Sequence, residues 1–184
     1  LDVGTEYGTY GPEFPSKCSK SIQILEQLLT YLEKTQRRDG SWGSPPHDTF
    51  APLALLASGK PRHLNLVRNN VKFHASTTKA KDRSWLINWR YMAAAIVMSE
   101  FYLATGEKWV IPELKEGYDF LISSQYVDLA QSDAKSRKTH PGAVPKDSIG
   151  AHGGWGHNPG FEGYGPISML TGQGALAFAL MKHC

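Results

Sequence analysis

W89-R-Y-M-A-A-A-I-V-M-S-E-F-Y-L-A-T-G106 decides the fold. From Tyr91 to Ser99 the stretch carries no charge and is apolar nearly all round, so a helix built from it has no side to give to water. Such a helix has to be covered by neighbours on every face. Gly106 then stands where a left-handed C-terminal cap belongs.

Working outward, the neighbours alternate in kind. Leu64, Val67, Val71 and His74 recur at helical spacing, with Arg68 and Lys72 on the wet side. After the quoted stretch, Pro112 opens a helix with Leu114, Tyr118, Leu121 and Ile122 on one face and Lys115, Glu116 and Asp119 elsewhere. Nearer the start, Ser16 is the expected N-cap of a helix whose stripe is Ile22, Leu25, Leu28, Leu29 and Leu32, opposite Lys20, Gln27 and Lys34. Two further segments share the uncharged character of Tyr91–Ser99. In D48-T-F-A-P-L-A-L-L-A-S-G59, Asp48 or Thr49 is the expected cap, Pro52 falls in the first turn, and Gly59 closes the helix. The other is I167-S-M-L-T-G-Q-G-A-L-A-F-A-L-M181. Helices one, three and five are thus charged on one side, and two, four and six are nearly uncharged. Each pair places one helix on an outer, half-wet layer and the next on an inner layer beneath it. No run alternates long enough to demand a strand. The expected fold is all-α, three helical hairpins spanning residues 16–184, preceded by an extended arm at 1–15 pinned by Tyr7, Tyr10 and Phe14.

A chain of 184 residues is long enough to bury a real core. Its net charge of +3 comes from Lys and Arg scattered among acids, which argues against nucleic acid as a partner. No stretch approaches the roughly 18 uninterrupted apolar residues of a membrane span. The chain opens on Leu1 rather than Met, so a processed or excised product is expected, with export the favoured compartment. Cys18 and Cys184 lie near opposite ends and are read either as a disulfide or as two free thiols.

Two motifs stand at the hairpin junctions. Tyr31-Leu32, three residues, Gln36, three residues, then Gly40-Ser41-Trp42 forms the first. The second runs from Gly117 through Phe120-Leu121 to Gln125 and reaches Gly153-Gly154-Trp155 only after the insertion 126–152. A Gln at a helix end can satisfy orphan backbone groups, and a Trp over glycines can dock its ring against the next hairpin. The pattern is similar to the QW repeat of squalene and oxidosqualene cyclases, and with the helix alternation it resembles the α/α toroid shared with protein prenyltransferases. A nearer resemblance is to an uncharacterised bacterial toroid family often linked to PDZ domains. It is carried by Gly8-Thr9-Tyr10, Cys18-Ser19-Lys20-Ser21, Leu53 to Gly59, Trp89-Arg90-Tyr91, Glu100 to Gly106, Trp155-Gly156-His157 and Gly163-Tyr164-Gly165. The resemblance implies a toroid segment, about half a ring. It also implies a larger bacterial protein or a homodimer that supplies the remainder.

The catalytic marks of those relatives are missing. No two carboxylates are adjacent, as the acid motif of the cyclases requires, and the zinc set of the prenyltransferases has no counterpart. The expectation is a non-catalytic binding or assembly module, with no cofactor and no metal. A small hydrophobic or carbohydrate ligand would stack on Trp85, Trp89, Tyr91 or Trp155. The alternative is an enzyme, terpenoid cyclase-like or polysaccharide lyase-like, working through the Gly-rich loop at 127–166. Its acid and base candidates are His152, His157, Tyr164 and Asp48. Asp48 is also read as a simple helix cap, and the loop as a structural one docked by Trp155.

Overall fold

A computed structural model describes residues 14–78, 86–127, 152–159 and 166–184. Trp85, Tyr164 and positions 1–13 of the arm therefore lie outside the described residues, as do 128–151 and 160–165 of the Gly-rich loop. The described residues form six α-helices and no strand: α1 Ser19–Thr35, α2 Pro45–Ala57, α3 Pro61–Thr78, α4 Ile87–Thr105, α5 Ile111–Ser124 and α6 Ser168–Met181. A 3-10 turn, Lys108–Val110, leads into α5. The fold is all-α.

The chain divides into two compact units, Leu1–Gln36 and Arg37–Cys184. In the first, α1 begins at Ser19 with Cys18 at its N-cap, two residues later than Ser16 would have set it. The reason is local, since Cys18 N–H closes a turn onto the Pro15 carbonyl before the helix starts. The second unit holds α2 to α6. Both cysteines are free thiols.

α4 is the centre of the second unit and packs against α2, α3, α5 and α6. Every residue from Tyr91 to Ser99 is buried, which is the consequence of a helix with no polar face. Tyr91 stacks on Phe120 of α5 at 3.7 Å between ring centroids, and its hydroxyl donates to the Thr78 carbonyl at 2.7 Å. Met92 and Ile96 join Leu121, Trp155, Leu170 and Ala177 in the same core cluster. Gly106 closes α4 in the left-handed region at φ +71, and Gly59 does the same after α2 at φ +65.

Three elements differ from the sequence expectation. α2 starts at Pro45, with Ser44 at its N-cap, so Asp48 and Thr49 lie within the helix and Pro52 sits in its interior. Pro45 and Pro46 supply the helix-starting geometry that the sequence reading assigned to Pro52. α5 is rotated: Leu114, Gly117, Phe120, Leu121 and Ser124 are buried, while Tyr118 and Ile122 are about half exposed. Phe120 wins the inward position because it finds the Tyr91 ring. α6 has no charge, yet it buries only the stripe Leu170, Gly174 and Ala177 and leaves Met169 and Leu176 exposed.

A surface clamp holds α3 to the α4–α5 connection. Arg68 pairs with Glu107 at 2.6 Å, Trp109 donates its indole N–H to the same carboxylate at 2.7 Å, and the Arg68 guanidinium lies 5.8 Å from the Phe101 ring centroid. Arg68 is thus a packing residue as well as a solvated one.

Candidate functional site

Asp48 and the turn before α2 form one candidate. Gly40 takes a positive φ, +91, and approaches the α3 backbone so closely that a Cβ would overlap the Asn69 carbonyl. From that approach the chain passes through Ser41, Trp42 and Gly43 into α2. The Asp48 carboxylate accepts the Trp42 N–H, and the Asn70 side-chain amide donates to the Gly40 carbonyl at 3.0 Å and to Asp48 Oδ1 at 3.3 Å. Asp48 is buried, and burial pushes its carboxyl above the usual carboxylate range against those hydrogen bonds. It therefore ties the turn to α2 and α3 instead of capping the helix start.

Pro52 explains a second buried group. A proline inside a helix leaves the carbonyl four residues back without its donor, and here that carbonyl belongs to Asp48. His74 of α3 supplies the donor: its Nε2 lies 3.0 Å from the Asp48 carbonyl oxygen. A donating Nε2 makes this the Nε2–H tautomer. The ring is fully buried, and burial lowers its pKa to about 4. His74 was expected only as part of an apolar stripe. The sequence signal for its role was Pro52, once that residue is placed inside α2.

The Gly-rich loop forms the other candidate. Gln125 donates to the Gly153 carbonyl at 2.9 Å, and Tyr126 and Gly154 pair as an isolated antiparallel bridge. Trp155 is buried; its indole N–H donates at 2.9 Å to the Leu121 carbonyl in the last turn of α5, which also accepts the Ser124 hydroxyl at 3.2 Å. Its ring presses on α6 where Gly174 has no side chain, since a Cβ there would lie 2.9 Å from the ring. The second copy of the motif therefore ties α5 to α6 through Trp155. In the first copy, Tyr31 and Gln36 belong to one unit and Gly40 and Trp42 to the other.

The loop also caps α4. Leu86, at the N-cap, is left-handed with φ 68 and makes no side-chain cap. Asn158 Oδ1 takes its place by accepting the Ile87 N–H at 2.9 Å, and the His157 carbonyl accepts the Asn88 N–H at 3.1 Å. The His157 ring stacks on Trp89, and its Nδ1 accepts the Trp89 indole N–H at 2.9 Å. Asn158 was not foreseen, because a cap supplied from 71 residues away leaves no local pattern.

Among the described candidates, Asp48, His152 and His157 do not converge. Asp48 lines a cavity that neither His152 nor His157 borders, and His152 stands exposed at the loop's edge. Tyr91 and Trp155, expected as ligand-stacking rings, are 1% and 3% exposed and serve as core. Trp89 is half-buried and engaged with His157. Among the described residues no group of three His, Cys, Asp or Glu side chains is placed to hold a metal ion, and no helix is long and apolar enough to cross a membrane.

No curated protein and no solved structure matches the chain. A family model described as a domain of unknown function, DUF6288, matches residues 21–184. With that match over most of its length, the chain belongs to the DUF6288 family.

Proposed function

We propose that this chain is a non-catalytic assembly module, a segment of an α/α toroid whose open end is completed by a second copy. The observation that carries this reading is the end formed by α5 and α6. α6 is uncharged throughout, yet Met169 and Leu176 are 52% and 48% exposed, and Tyr118 and Ile122 of α5 add 45% and 49%. Apolar surface of this kind marks an interaction site more often than an idle face. The central place of α4 between α2 and α6, with α3 and α5 also packed on it, suits a layered array of hairpins. Between α2 and α4 an open groove of about 490 Å3, lined by Leu53, Leu56 and Leu103, offers room for a small hydrophobic ligand.

The competing enzyme reading loses weight from the same geometry. Asp48 and the Nδ1 of His157 are spent on a turn and on Trp89, and the two do not share a cavity. Light scattering tests the assembly. A dimer or larger species is expected for the natural chain, and Leu176→Glu should shift it to monomer while keeping the same helical circular dichroism. A natural chain that stays monomeric at high micromolar concentration would sink the proposal.

A further inference from the structure

The turn 37–44 and helices α2, α3 and α4 enclose a cavity of about 260 Å3. Two guanidiniums border it, Arg37 from the turn and Arg90 from the first turn of α4. Among the described residues neither side chain forms a hydrogen bond or an ion pair. Both acids at the cavity accept their hydrogen bonds from other groups. Asp39 Oδ1 accepts the Ser41 N–H at 2.9 Å and the Ser41 hydroxyl at 2.8 Å, and Asp48 accepts the Trp42 N–H and the Asn70 amide. The Ser41 hydrogen bonds do most to lower the Asp39 carboxyl pKa and Arg37 adds only a weaker coulombic pull, so the guanidinium donors stay open toward the cavity while the carboxylates are spent on the turn.

The Arg37 guanidinium lies directly over the backbone of Gly43. Gly43 has φ +101, a conformation that favours glycine, and with no Cβ it leaves room for the guanidinium to lie against the turn. The nearby start of α2 is no substitute for the arginines. Pro45 and Pro46 occupy its first positions and carry no N–H to offer an anion. Phe73 adds an apolar wall and Thr77 a hydroxyl.

We propose that this cavity binds a small molecule through an anionic group, a carboxylate or a phosphate, with Arg37 and Arg90 as its two cationic contacts. Guanidinium pairs with either anion through charge-assisted hydrogen bonds of matching geometry. The volume lies just below the usual range for ligand pockets, which fits a small metabolite or the charged end of a larger one. The site is separate from the α5–α6 end, so it stands or falls independently of assembly.

Isothermal titration calorimetry at low ionic strength, with inorganic phosphate, benzoate and neutral benzamide as probes, tests the proposal. Phosphate or benzoate should bind and benzamide should not, and whichever anion binds more tightly identifies the group. Arg37→Gln and Arg90→Gln should each weaken binding at least tenfold, with Arg37→Lys in between. Both side chains reach solvent, so these variants should keep the natural melting temperature. The inference is overturned if neither anion binds, if benzamide binds as well as benzoate, or if both glutamine variants bind like the natural chain.

Discussion

At the scale of single residues, buried polar groups here do structural work that has a pH signature. His74 is held neutral, with a pKa lowered to about 4 from an ordinary value of 6.5. A lowered histidine pKa means that the unfolded chain takes up a proton that the folded chain refuses. The stability tied to the neutral ring is complete above pH 6.5 and is lost as the pH falls to 4, in total about 3 kcal/mol. Asp48 acts in the opposite sense, because its raised carboxyl favours the folded state as acid is added. Urea titrations at pH 7 and pH 4.5 should show a fall in stability for the natural chain and a smaller one for His74→Phe. Equal falls would remove His74 as the cause. Trp155→Ala empties a buried site at the α5–α6 junction and should cost about 3–5 kcal/mol in the same assay. The sequence suggested Asp48 as the cap of α2, whereas it lies inside that helix and holds the preceding turn, which the sequence did not reveal. Its partners, the Trp42 amide and Asn70, are 6 and 22 residues away in the chain, and only packing of α3 on α2 brings Asn70 to it.

Elements show which local rules gave way to tertiary contacts. Pro52 sits inside α2 because His74 replaces the lost helical donor. A double-mutant cycle tests that account: His74→Phe should cost about 1–2 kcal/mol less when Pro52 is also Ala, since the restored N–H then serves the Asp48 carbonyl. Additive costs would disprove the coupling. At the start of α4 the helix is capped from outside, so Asn158→Ala should cost about 1 kcal/mol and speed amide exchange at Ile87. Periodicity located all six described helices, with the cap of α1 off by two residues and that of α2 by at least four, where a turn or a proline pair competed. It misjudged the face of α5, because Tyr118 and Ile122 fit a helical stripe as well as Phe120 does. The choice between them was made by the Tyr91 ring across the interface.

For the whole molecule, the alternation of charged and uncharged helices by itself determined an all-α fold and named α4 as the helix that others must cover. Charge is a one-residue property, and no arrangement of neighbours makes a lysine at home in a core, so that part is readable without coordinates. The sequence also marked the Trp155 turn as a staple, since a large ring among glycines has to dock elsewhere. Only the tertiary structure decided which faces stay open. α6 is as apolar in sequence as α4, but among the described residues α4 packs against four helices while α6, packed on α4 and α5, leaves Met169 and Leu176 exposed. The same holds for the two arginines, which in the sequence are ordinary surface charges. What sets them apart is that they border one cavity whose two acids, Asp39 and Asp48, already accept hydrogen bonds from Ser41 and from Asn70, and only folding brings Arg37 and Arg90 to that cavity.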